Sequence, residues 1–245
     1  MNSFTNFLWS LVRWAVPVTV AGVIAAAAIG TSRINEEIRG RVERVVAARF
    51  PGLQVEVQGA TLEEGRGIVL HGLSLTDPLQ PEPWQQLLRI DEVHLACDVT
   101  LADLALGPPT ITAVRVVRPV LQVIRSEQGA WNLQSLFSSP ASATALPVSV
   151  DGATLLFEDV QTGFRETFRQ GRLDLEPAAT DPAGVAWSRI ALSLDGQTVE
   201  RLSLTGAVSL ATQQFRVETA VEGFEFQPRL ATLLPAGLVA GGWHR

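Results

Sequence analysis

The chain has no tyrosine, no lysine, one cysteine and three histidines in 245 residues. Each scarcity removes a class of chemistry. Cys97 alone makes neither an intrachain disulfide nor a cysteine-based zinc site. Its place in an apolar, strand-like stretch reads as a buried, inert thiol. His71, His94 and His244 lie far apart in sequence, without the spacing of a zinc-binding helix pair. No G-x-S-x-G occurs, so a hydrolase nucleophile turn is missing. Gly65-Arg66-Gly67 opens a strand rather than a helix and lacks the rest of a dinucleotide fingerprint. Asp91-Glu92 and Glu63-Glu64 are neighbours along strands, which sends the two carboxylates of each doublet to opposite faces. That suits solvated faces better than paired acid–base work. The sequence therefore offers no catalytic residue, no metal-ligand set and no cofactor loop.

Charge is scarce as well. Charged residues make up 18% of the chain, below the usual quarter of a soluble domain, and 47% of residues are apolar. The net charge is −6, with no basic tail and no interleaving of basic and aromatic residues, which excludes nucleic acid as a partner. All 19 basic residues are arginines, a bias read as codon usage.

What is present is an apolar run from Leu8 to Gly30, broken only by Ser10, Arg13 and Thr19. At a helical rise it spans roughly 34 Å, enough for a hydrocarbon core of about 30 Å. Trp9 and Trp14 suit interfacial anchors, and Arg13 can snorkel to the headgroups. Residues 1–32 are read as a transmembrane anchor. The rival is a signal peptide cleaved near Ala25–Ala28. Against cleavage, the apolar region is long and no basic cluster precedes it. Five arginines follow the run between residues 33 and 49, and a positive-inside count would place the domain in the cytoplasm.

Residues 33–50 read as an amphipathic helix, with Ile34, Ile38, Val42, Val45 and Val46 in one stripe and Pro51-Gly52 as its stop. It packs on the first strands or lies on the bilayer. Residues 51–137 form a first β block. Leu53, Val55 and Val57 alternate, and Gly67–Thr76 has apolar residues on both faces around Gly72. Val93, Leu95, Cys97 and Val99 share a face. Short helices are expected at Pro81–Leu88, Leu101–Leu106 and Trp131–Phe137. Pro119 separates two strand-like runs, because proline does not sit inside a central strand. Residues 138–147 are a linker of small residues and proline. Residues 148–229 form a second β block of strict alternations, such as Phe215, Val217, Thr219 and Val221, which give one dry and one wet face. Residues 230–245 are an irregular tail or the start of a continuation. Val57–Leu62 and Val150–Leu155 share the pattern V-x-G-A-T-L, each opening a block of strands.

The order of these pieces resembles the AsmA/TamB-like family of Gram-negative envelope proteins over about residues 8–225. The residues that carry it are GRGIVLHGLSLTDP (65–78), LLRIDEVHLACDVTLADLALG (87–107) and ITAVRVVRPVLQVIRSEQGAWNLQSL (111–136). The strongest part is P-x-L-x-V-x-R-x-x-x-G-x-W-N-L-x-x-L. VDGATLLFEDV (150–160) resembles the family's second block opening. Family members are usually far longer. The resemblance implies a single-pass inner-membrane anchor and a periplasmic domain, against the positive-inside count. It implies a mainly β fold, an elongated curved antiparallel sheet forming a groove, and non-catalytic contact with or transport of phospholipid between membranes. The expected groove lining is Val93, Leu95, Leu121, Val123, Leu173, Leu175, Phe215 and Val217. The competing expectation is an assembly factor that pairs its free sheet edge with another envelope protein or a further β segment.

Overall fold

A computed structural model of the chain describes residues 31–63, 65–82, 84–97, 110–134, 146–180, 185–209, 212 and 214–224. The anchor with Trp9, Arg13 and Trp14, the expected helix at Leu101–Leu106, Val99, most of the linker and the tail lie outside these residues. Among the described residues no helix is long and apolar enough to cross a membrane.

Helix α1 (Thr31–Arg49) is followed by β1 (Gln54–Glu63), β2 (Gly67–Thr76), β3 (Gln86–Ala96) and β4 (Ala113–Arg125). Then come β5 (Val148–Asp159), β6 (Phe164–Thr180), β7 (Ala186–Asp195), β8 (Val199–Ser209) and β9 (Gln214–Phe224). The fold is mainly β. All nine strands form one sheet in sequence order, from β1 to β9. Every neighbouring pair is antiparallel except β4–β5, which is parallel. The sheet is therefore mixed, a correction to the antiparallel expectation. The cause lies between the blocks: residues 126–147 are a connection long enough to return the chain to the same end of the sheet, which a parallel pair requires.

On α1 the stripe Ile38, Val42 and Val46 is buried, and it joins Phe50, Leu53 and Val57 in one apolar core. Gly52 turns the chain with φ +97°, and the Leu53 amide donates to the Phe50 carbonyl at 3.1 Å. Glu43 reaches across to accept the Val57 amide of β1 at 2.9 Å. The helix thereby packs on the first strand and satisfies part of its backbone, one way of managing a sheet edge.

The inward side-chain parity slips by one residue along a line crossing β1 to β6. It slips between Val57 and Ala60, Leu70 and Leu73, Ile90 and Val93, Val116 and Pro119, and onward to β6. Four residues on this line have positive φ: Gly72 (+61°), Arg118 (+48°), Gly152 (+67°) and Gln170 (+54°). From β1 to β5 the ladder register runs unbroken through these slips, so every strand turns its side chains over together; only between β5 and β6 does the register shift there, as at a bulge.

On β2, Ile68, Leu70, Leu73 and Leu75 share the inward face, while Val69, also buried, points to the other face, so apolar residues stand on both faces as expected. Two expectations change along this line. Pro119 sits inside the continuous central strand β4, because ladder pairing to β5 lapses between Val117 and Val120. Asp91 and Glu92 share the polar face, because the buried neighbours on either side are Ile90 and Val93. A further correction lies off the line. The expected helix at Pro81–Leu88 is a turn, with the Trp84 amide on the Pro81 carbonyl (2.8 Å), and β3 already begins at Gln86. Leu87 and Leu88 are buried as strand residues.

Candidate functional site

Ladder register places every expected lining residue on the same face. One row runs from Leu70 through Val93, Val116, Val150 and Leu173 to Leu204. The next contains Leu95, Val114, Val148, Leu175, Ile190 and, across Gly206, Val217. Leu121 lies opposite Leu88 and Leu155, Val123 opposite Phe157, and Phe215 opposite Val208. Period-two alternation and the matched slips keep these rows in phase from strand to strand.

The face is not uniform along its width. Val93 (0%), Leu95 (1%), Leu121 (5%), Val123 (1%), Leu173 (4%) and Leu175 (1%) are shut off from solvent, whereas Phe215 is 42% exposed. Val217 is half-buried, and Val221 on the same strand is 51% exposed. An apolar cavity of about 70 Å³ remains in the closed part, bordered by Leu88, Ile90, Leu121, Leu155, Leu173 and Leu194. That is well below the roughly 300–1,000 Å³ of common ligand sites. The closed part is thus core, and apolar surface is offered at β9.

The W-N-L stretch has a structural task. Trp131 bridges to Arg125 and packs its ring 5.9 Å from Phe157. The Asn132 side chain accepts the Ile124 amide (2.8 Å) and donates to the Gln122 carbonyl (3.1 Å), so it substitutes for a neighbouring strand along the end of β4. Leu133 is buried. Trp131–Leu133 is a bridge and turn, Gln134 is helical, and the remainder of the helix expected there lies outside the described residues.

The polar face carries ion pairs. Arg118 donates to Asp91 at 2.9 Å, Arg115 to Asp151 at 2.8 Å and Arg201 to Asp195 at 3.0 Å. The hydrogen bond to Asp91, and then its charge, hold Arg118 above the usual arginine pKa. Asp195 and, more weakly, Glu222 do the same for Arg201. His94 meets Glu92 at 3.2 Å, and His71 is exposed. His244 lies outside the described residues. Cys97 is buried. Three buried carboxylates among the described residues are occupied by structure. Asp77 accepts the Leu79 amide at 3.0 Å. Glu166 accepts the Gln197 and Thr198 amides of the β7–β8 turn (2.9 and 3.0 Å). Asp159 accepts the Gln161 amide and the Thr162 hydroxyl (3.1 and 2.8 Å). Among the described residues no three His, Cys, Asp or Glu side chains converge as metal ligands.

Sequence reasoning missed Glu43 and the line of slips. Glu43 looks like any polar helix residue, and a slip is visible only when neighbouring strands are in register. Val221 was legible as part of an alternating strand, but its exposure follows from its place at the rim of the sheet. No protein-family model matches the chain, and none of the curated proteins does.

Proposed function

We propose that this chain is a non-catalytic, membrane-anchored β-groove protein that engages phospholipid acyl chains and contributes to phospholipid transport or outer-membrane biogenesis. The inner membrane would hold the segment around Trp9, Arg13 and Trp14, with the sheet in the periplasm. The observation that carries this reading is the apolar face itself. Its rows run in phase across the sheet, are packed shut toward α1 and end in exposed Phe215 and Val221 at β9. Acyl chains meeting that rim lose apolar contact with water at about 25 cal/mol per Å², while headgroups stay in solvent. The occupied buried carboxylates and the ion-paired polar face suit a surface role better than bond-making. The resemblance to AsmA/TamB-like proteins supports the same reading.

The test is lipid carried by the full chain. The protein is extracted from an envelope in mild detergent and its bound phospholipid is quantified by mass spectrometry. Near-stoichiometric lipid, falling several-fold in Phe215→Asp while circular dichroism is unchanged, is the expected result. A folded wild-type chain that carries no more lipid than the variant contradicts the proposal.

A further inference from the structure

Among the described residues no strand pairs with the far side of β9. Of the three large hydrophobic residues that stand exposed among the described residues, two, Phe215 and Val221, are on this strand. An open edge carrying apolar side chains is a template for another strand. The sequence of β9 specifies which strand fits. Antiparallel pairing of β9 with itself about a two-fold axis at Thr219 overlaps the whole of Gln214–Phe224. In that register Arg216 stands opposite Glu222 of the second copy, and Val217 opposite Val221. Phe215 stands opposite Gly223, where the absent side chain leaves room for a ring.

Other registers fit worse. A shift by one residue sets the apolar face of one copy against the polar face of the other. Centring on Glu218 places that carboxylate against itself, and centring on Ala220 places Glu218 against Glu222; like charges directly opposite are unfavourable. Charge complementarity extends inward as well. Asp195, Arg201 and Glu222 already lie in one cross-strand line of alternating sign. Arg216 of the second copy adds the next positive charge. Within one copy Arg216 rests over the Trp187 ring at 4.7 Å, which holds it on the polar face.

We propose that β9 is a self-association edge and that its partner is a second copy of this chain, paired antiparallel about Thr219 to join two sheets into one. This uses the backbone edge and the polar-face charges, and it stands independently of the lipid reading. The pairing leaves the apolar face of Phe215 and Val217 open and continuous across the junction.

The experiment uses the full chain in membrane vesicles under mild oxidation. Directly opposed residues of an antiparallel pair lie about 4.5–5.5 Å apart between Cα atoms, within disulfide reach. Thr219→Cys is expected to give a covalent homodimer, and Thr205→Cys on β8 to give none. Arg216→Glu and Glu222→Arg are each expected to weaken dimerisation about tenfold. The double swap restores it to within about threefold of the native chain. Circular dichroism checks that each variant is folded. A monomer at every concentration, a Thr219→Cys chain that links to a different protein or to nothing, or a double swap no better than either single change overturns the proposal.

Discussion

Single residues fix the ends of this sheet. Glu43 is the clearest case, because one carboxylate on the helix holds the Val57 amide of the first strand. Removing it leaves a partly buried donor without its partner. Glu43→Ala is expected to cost about 1–2 kcal/mol in a denaturant titration of the full chain. Asn132 does similar work at β4 with two side-chain hydrogen bonds to backbone. Asn132→Ala is expected to cost about 2–3 kcal/mol, since it strands a buried amide and a carbonyl together. Gly72 is held for a different reason. At φ +61° a Cβ would be strained, and it would also clash with the Gln58 side chain. Gly72→Ala is expected to destabilise by about 1–3 kcal/mol, read as a fall in denaturation midpoint with unchanged slope.

At the level of elements, the strands were legible because their alternation is strict where one face is dry. Leu173 and Leu175, or Ile190 and Leu192, announce their inward side from sequence alone. The slips were not legible. A single extra residue between two inward positions looks like noise in one strand and becomes a pattern only when β1 to β6 are laid side by side. Pro119 shows the difference: as an isolated proline it argues against a central strand, but on the line of slips it occupies a place where the ladder has already lapsed. The V-x-G-A-T-L echo acquires a meaning there too, since both copies straddle the line, in β1 and in β5. Elements also differ in their exposure to opening. β4 is paired on both sides and its inward side chains are buried, whereas among the described residues β9 is paired on one side and is largely exposed. At a dilution where the chain is monomeric, amide exchange followed by mass spectrometry is expected to be slowest over β3–β6 and fastest over β9. Protection at β9 is expected to rise with chain concentration as the edge pairs, and β9 protection that is independent of concentration contradicts self-pairing.

The molecule as a whole joins a shut end to an open one. From α1 through β8 the inward side chains form one connected core, and at β9 the same face reaches solvent. The candidate lining was readable as a face but not as a gradient, because burial depends on what stands opposite and alternation does not report it. The two kinds of position predict different behaviour. Leu95 is 1% exposed, so Leu95→Asp places a charge in the core and is expected to abolish folding, or to cost more than about 3 kcal/mol. Phe215→Asp changes a side chain that is 42% exposed and leaves the fold intact. Lipid engagement, if it belongs to this face, must then be lost selectively at the rim.

The most direct measurement is site-specific photo-crosslinking in the native envelope. A photoreactive amino acid is placed at Phe215, at Val221 and, as a control, at Leu79, which is 88% exposed in the β2–β3 turn. Adducts are identified by mass. Phospholipid attached at positions 215 and 221 but not at 79 is the predicted result. Absence of lipid at the rim, or equal labelling at position 79, would contradict the account.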